Sequence, residues 1–168
     1  MLNETMGNQQ VTQSEIGWLA GIIDGEGHIG ISIQNRKRCM NSTKFDLQIV
    51  NIDYLLIDKV VAVMQKMGVN PLIRERIHIK ATHNQNKIVT VGKMSQIKRI
   101  FEHVIPHLTG MKQSRATIML ELIESRLTKT QGNKYSLEEL ALVSKFRTSL
   151  FGSDTSTTIR ETCKHLTA

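Results

Sequence analysis

The chain has 168 residues, with 22 Lys plus Arg against 15 Asp plus Glu, a formal net charge of +7 and a pI near 9.6. This length supports one domain with its own core, and the basic balance favours a polyanionic partner. Cys39 and Cys163 are too isolated to form a disulfide framework or a zinc site. No apolar run approaches the ~18 residues that span a bilayer. We therefore expect an intracellular protein in a reducing compartment, with no membrane partner.

The first half of the chain predicts a helix, two strands and a second helix. Residues 1–13 lack the blocks of a secretion signal and are expected to be flexible. Ser14 is a candidate N-cap for a helix over about 15–25. Apolar and polar residues then alternate from Ile29 and again over about 44–51, which is typical of strands with one polar face. Asp53 is a candidate cap for a helix that runs to Met67.

The second half predicts two more strands and three helices, at about 72–80, 87–92, 95–105, 113–128 and from Ser136 onward. Ser95 is the candidate cap of the first of these helices, and Ser136 with Glu139 forms a capping box for the last. We expect one α+β domain over 14–152, with a four-stranded antiparallel sheet covered by helices on one face. The Ser/Thr-rich residues 153–168 are expected to form a mobile tail.

Three glycines in the first predicted helix, Gly17, Gly21 and Gly25, fall on one helical face. Each costs a helix interior about 1 kcal/mol against Ala, so a close helix–helix contact is the expected reason. That contact is either packing inside one domain or packing against a second copy, with Trp18 beside it. Because Asp24 and Glu26 end the same helix, two packed copies would bring two carboxylate clusters together. Such clusters suit a metal-dependent phosphodiester cutter.

The segment Gly25–Gly30 also matches the GxGxxG dinucleotide fingerprint. That fingerprint follows a strand and opens a helix, whereas here it follows a helix and opens a strand. A nucleotide site is therefore excluded.

The same helix resembles the motif of the LAGLIDADG homing endonucleases, and the resemblance extends loosely over about 14–150. The residues identical to the motif are Leu19, Ala20, Gly21, Ile23, Asp24 and Gly27, and Glu26 keeps its last acidic position. Ile22 and Gly25 are mild departures. The motif occurs once, and single-motif members of this family are homodimers that pack through this helix. The resemblance implies the same for this chain, with an interface at Gly17, Trp18, Gly21 and Gly25.

The resemblance also implies a magnesium site and the residues around it. Glu26 would bind Mg²⁺ together with the Gly25 carbonyl, and Asp24 would assist. Lys112 lies in the segment that supplies the family's lysine, although it equally fits the solvated start of a helix. Asn51 and Gln113 would organise water. The family's further Arg is missing, since Tyr54 and Leu55 stand there, and Arg74 or Arg76 would have to replace it.

The face of the sheet without helices carries polar and basic residues that suit a DNA groove, where Arg reads guanine and Gln reads adenine. Asp46 and Glu75 do not fit a pure phosphate-binding surface. The expected DNA-binding residues are Ser32, Gln34, Arg36, Arg38, Lys44, Gln48, Arg74, Arg76, His78 and Lys80.

Together with the resemblance, these features predict a homodimeric, Mg²⁺-dependent endonuclease with a long, partly palindromic target in double-stranded DNA. The resemblance implies that the cut leaves cohesive ends. Three alternatives stay open: an RNA maturase that binds intron RNA, a DNA-binding regulator without catalysis, and a protein that uses the glycines only to dimerise. Genes of this kind often lie in introns of organelle or archaeal genomes. The resemblance therefore implies a chloroplast, a mitochondrion or archaeal cytoplasm.

Overall fold

The computed structural model describes residues 10–36, 39–76, 85–129 and 134–149, with only the backbone described for 33–36 and 39–42. Its elements, in chain order, are α1 (Gln13–Glu26), β1 (Gly27–Arg36), β2 (Cys39–Asn51), α2 (Tyr54–Lys66), β3 (Leu72–Arg76), β4 (Asn86–Val91), α3 (Met94–Val104), a 3-10 turn (Ile105–His107), α4 (Gly110–Leu127) and α5 (Leu137–Thr148).

The four strands form one sheet in the order β1-β2-β4-β3, and each neighbouring pair is antiparallel. The predicted α+β fold, with its two antiparallel strand pairs, is therefore confirmed. None of the helices in the described ranges combines the length and apolar character needed to cross a bilayer.

Strand pairing assigns residues to the two faces of the sheet, because directly opposed residues share a face. Ile49 pairs with Gly27 on one side and with Val89 on the other. Ile49 and Val89 are buried, so this set faces the helices. The alternate set, which includes Gln48, lies on the opposite face. We call this second face the open face.

The core lies between the sheet and the helices, and many apolar positions of the predicted strands and helices are buried in it. Those of β2 and α3 are Phe45, Leu47, Ile49, Ile97, Ile100, Phe101 and Val104. Glu139, on α5, joins this helix to the end of α4, and its carboxylate is fully buried. It contacts Lys129 Nζ at 3.0 Å, Ser125 Oγ at 2.9 Å and the Ser136 N–H at 2.8 Å. The predicted capping box is confirmed.

Two predicted caps are wrong. The N-cap of α1 is Thr12, not Ser14, since Thr12 and Glu15 form a reciprocal capping box. Helix α3 begins after Lys93, without a side-chain cap, so Ser95 lies inside the helix. Asp53 caps α2 as predicted, accepting from the backbone of Leu55 and Leu56.

Some predicted boundaries also differ, and one apolar residue on the helix side of the sheet is exposed. Strand β2 begins earlier than expected, at Cys39, and α4 begins at Gly110. Strand β3 is an edge strand, so Ile73 is 45% exposed although it lies on the helix side. The part of the third predicted strand beyond Arg76, and the N-terminal and C-terminal segments, lie outside the described residues.

Candidate active site

The site begins where α1 turns directly into β1. Gly27 caps the helix, and its N–H donates to the Ile23 carbonyl. A Cβ at position 27 would lie 2.6 Å from that carbonyl oxygen, so the turn requires glycine. The turn leaves Glu26 exposed at the helix end. Within the described part of the chain, the Glu26 carboxylate has no hydrogen-bond partner.

Lys112 lies beneath this turn, on the first turn of α4. Its ammonium donates to the carbonyl oxygens of Gly27 and, at 3.4 Å, of Ile23. Burial lowers the pKa of Lys112, and the charge of Arg115 acts in the same direction, while Asp24 and Glu26 oppose them. The cation predicted by resemblance therefore lies within electrostatic reach of both acids of the motif.

Asp24 links the two helices that carry the site. Its carboxylate accepts from the Thr109 hydroxyl at 2.9 Å and from the Thr109 N–H at 3.0 Å. Thr109 is the N-cap of α4, so the acid meets the positive end of that helix dipole. A Thr before Gly110 is a helix-start signal in the sequence, but nothing local predicts that Asp24 is its partner.

The two predicted water organisers, Asn51 and Gln113, have different hydrogen-bond partners. Asn51 lies at the sheet end nearest the α1 turn, two residues beyond the Ile49–Gly27 pair. Its Oδ1 accepts from the Asp53 N–H at 2.8 Å, which leaves its amide N–H₂ for another acceptor. Gln113 Nε2 instead donates to the Ile105 carbonyl at 3.2 Å.

Arg115 is a buried cation behind the site that sequence reasoning missed. It is 6% exposed, donates to the Ile29 carbonyl at 2.6 Å and lies 4.4 Å from the centre of the Phe146 ring. No carboxylate of the described residues forms an ion pair with it, and burial lowers its pKa. Its spacing from Met119 and Leu122 places it on the buried side of α4, which was the available sequence signal.

The glycine face of α1 is not used for packing inside the protomer. A Cβ added at Gly17, Gly21 or Gly25 would meet no atom within 4 Å. Trp18 is half-buried against the core of its own protomer, with Lys59 Nζ 4.3 Å from the centre of its ring. We call Gly17, Gly21 and Gly25 the glycine edge.

The predicted DNA-binding residues fall on the open face where the structure describes them. Ser32 pairs with Lys44, Gln48 with His28, Arg74 with Ile88 and Arg76 with Asn86. The side chains of Lys44, Arg74 and Arg76 are exposed. Of Gln34 and Arg36 only the backbone is described, with a register shift between them. Arg38, His78 and Lys80 lie outside the described residues.

A single protomer, over the described ranges, holds no group of three or more His, Cys, Asp or Glu that could bind a metal ion. The end of α1 instead offers the exposed carboxylate of Glu26 and the last carbonyls of the helix, which have no partner inside the helix. Magnesium binds through one or two carboxylates when phosphate oxygens and water complete its shell. The residues therefore fit a magnesium ion whose remaining ligands are phosphate oxygens and water.

Residues 13–104 match the family described as the LAGLIDADG-like domain. Because the match covers more than half of the 168 residues, the chain belongs to this family. Among curated protein sequences no match was found.

Solved structures share the fold at low sequence identity. The homing endonuclease I-CvuI, in complex with its target, is 20% identical with a TM-score of 0.60, covering 92% of this chain and 96% of that chain. The group I intron-encoded homing endonuclease I-CeuI, complexed with DNA, is 17% identical with a TM-score of 0.65, covering 95% and 79%. The LAGLIDADG meganuclease I-CpaMI is 19% identical with a TM-score of 0.63, covering 90% of this chain but 50% of its own.

Proposed function

We propose that this chain is a homodimeric, magnesium-dependent endonuclease that cuts a specific site in double-stranded DNA. One arrangement carries the proposal. The exposed Glu26 lies at the end of a helix whose glycine edge is open, and Lys112 lies against the same turn. The structures of I-CvuI and I-CeuI with DNA support the choice of partner.

The dimer would form by packing the glycine edges of two protomers. Glycines at i, i+4 and i+8 let two helix backbones approach closely, and the acids at their ends would then meet at a common centre. A two-fold dimer implies a target that is partly palindromic. Glu26 of each protomer would serve the cutting of one strand, which gives a double-strand break with cohesive ends.

Different residues of the chain would have different roles in phosphodiester hydrolysis. Glu26 and the Gly25 carbonyl would hold Mg²⁺, which supplies charge neutralisation at the scissile phosphate and favours an ionised water. Lys112 would stabilise the negative charge that develops on the phosphate. Asn51 would orient water through its amide N–H₂ group. Asp24 would keep α4, and with it Lys112, in position.

The open face would lie in the major groove. Arg74 and Arg76 can donate to guanine, and Gln48 can pair with adenine, while Lys44 serves phosphates. Charge reversal at Arg74 and Arg76 should weaken binding and flatten its salt dependence, since fewer counterions are then released. Unchanged affinity would place the DNA surface elsewhere.

The test of the proposal compares wild type with Glu26→Gln on a duplex that wild type selects from a randomised double-stranded DNA library. Wild type should cut this duplex with Mg²⁺ and leave it intact in chelator. Glu26→Gln should bind it equally well and not cut it, whereas Glu102→Gln, an exposed acid on α3, should cut normally.

Three results would contradict the proposal, and each indicates a different alternative. A Glu26→Gln protein that cuts at the wild-type rate would remove the catalytic assignment. A wild-type protein that binds the duplex but never cuts it would be a DNA-binding regulator. Preference for intron RNA over any duplex would favour a maturase.

A further inference from the structure

Asp46 is an acid on the face of the sheet that should meet DNA. It pairs with Gly30 across β1 and β2, on the open face, yet it is only 7% exposed. An acid here repels phosphates, and a buried carboxylate needs hydrogen-bond partners. Its side-chain partner is Gln48, whose Nε2 donates to Asp46 Oδ2 at 2.9 Å.

The position of this carboxylate depends on Gly30. A Cβ at position 30 would lie 3.1 and 3.2 Å from the two Asp46 oxygens and 2.8 Å from His28 Nε2. The carboxylate therefore occupies the space that a side chain on the neighbouring strand would take. Any larger residue at position 30 would displace it.

The contact decides which way the Gln48 amide points. A glutamine amide has a donor end and an acceptor end, and in water it turns over freely. An ionised carboxylate only accepts, so Nε2 must face Asp46 and Oε1 must face away. Adenine presents one acceptor and one donor in the major groove, and an amide matches them only when its two ends are in the correct order.

We propose that Asp46 is a specificity-positioning residue, which locks the amide of Gln48 so that it reads an adenine-containing base pair. This inference rests on the proposed function, because it requires that the open face meets duplex DNA. Locking the amide before binding removes the cost of ordering it in the complex. It also excludes the reversed amide, which would match other base pairs.

The test uses a randomised double-stranded DNA library and four proteins: wild type, Asp46→Ala, Gln48→Ala and the double variant. The base pair whose preference disappears in Gln48→Ala is the one that Gln48 reads. Asp46→Ala should weaken the preference for adenine at that same base pair by about tenfold, within the range of one bidentate contact. In the Gln48→Ala background, adding Asp46→Ala should cause no further change in the base preference at that position.

Asp46→Asn separates positioning from a loss of structure. Asn keeps the size of Asp but lets the Gln48 amide adopt either order. Discrimination at the Gln48 base pair should fall, while affinity for non-target duplex rises because a negative charge is lost. A damaged fold would instead lower the affinity for the target duplex and the affinity for non-target duplex alike. Gly30→Ala, which crowds the carboxylate and keeps its charge, should weaken the same base-pair preference.

The outcomes distinguish this inference from the proposed function. If the wild-type protein selects no sequence, the proposed function and this inference are both wrong. If wild type selects a sequence and Asp46→Ala leaves the Gln48 base pair unchanged, the inference alone is wrong. A change at a different base pair would mean that Asp46 reads DNA directly, and would also overturn it.

Discussion

The carboxylate of Asp24, near the end of α1, accepts from the backbone N–H and the hydroxyl of Thr109, the N-cap residue of α4. These residues are 85 positions apart in sequence. Because α4 also carries Lys112, this contact fixes the distance between the lysine and the acidic end of α1. The earlier acid of the motif, Asp24, therefore has a defined structural task.

Replacing Asp24 with Ala should lower the free energy of unfolding by about 1–2 kcal/mol, as expected for a charged hydrogen bond at a helix N-terminus. The loss should be the same with Mg²⁺ and in chelator, because it arises from the helix cap. Urea unfolding of Asp24→Ala, Thr109→Val and the double variant measures it. The double variant should lose less than the two single losses together, and an unchanged stability of Asp24→Ala would contradict the cap.

Lys112 is expected to act on cutting more than on binding. Lys112→Gln should slow single-turnover cleavage on the order of 100-fold, as when one charge-stabilising donor is removed, with little change of target affinity in chelator. Lys112→Arg keeps the charge and should retain more activity. Lys98→Gln is the control, since Lys98 lies on α3 and pairs with Glu124 at 2.5 Å. A Lys112→Gln protein that cuts as fast as the Lys98 variant would remove Lys112 from the site.

Glu15 should make stability depend on pH. The hydrogen bond from Lys66, at 2.6 Å, and those from Thr12 lower the pKa of Glu15 from 4.5 to about 2. Since the pKa is lower in the folded state, the carboxylate stabilises the fold fully above about pH 4.5 and loses this effect as the pH falls towards 2.

The measurement is the difference in unfolding free energy between wild type and Glu15→Gln across this pH range. Wild type should be more stable at pH 6, and the difference should shrink steadily on acidification. Removing the partner by Lys66→Met should reduce the difference at pH 6. A difference that is constant with pH would mean that the ion pair does not hold the carboxylate in solution.

The glycine edge should matter for association and not for folding. In Gly21→Leu, the new Cβ would have no atom of the same protomer within 4 Å. The substitution also removes a glycine, which costs a helix about 1 kcal/mol. The protomer should therefore stay folded, while the dimer dissociates at higher concentration than wild type. Sedimentation velocity measures this, with Ala141→Leu on the exposed side of α5 as the control. A Gly21→Leu dimer as tight as wild type would place the interface elsewhere.

The sequence predicted the fold well because apolar periodicity and local turn signals decide it. The alternation around Phe45, Leu47 and Ile49 assigned the faces of β2 correctly, and Asp53 marked the start of α2. The N-cap of a helix was harder to predict where two hydroxyl residues lie close together in the sequence. Thr12 caps α1 instead of Ser14 because only Thr12 has Glu15 three residues later.

The candidate site was less predictable, because its contacts join distant parts of the chain. The link between Asp24 and Thr109 and the hydrogen bond from Arg115 to the Ile29 carbonyl join residues 85 and 86 positions apart, and neither contact leaves a periodic pattern. Lys112 was found through resemblance to a family motif, not through spacing. Asp46 was visible in the sequence only as an acid that did not fit a basic surface.

The most direct test of the central claim, that two protomers each contribute Glu26 to one cutting event, uses mixed dimers. A dimer with one wild-type and one Glu26→Gln protomer, purified with two different affinity tags, is incubated with the selected duplex and Mg²⁺. The account predicts that this dimer nicks one strand and leaves the other intact, while the wild-type dimer cuts both. Double-strand breaks by the mixed dimer at the wild-type rate, or normal cutting by a single protomer, would contradict it.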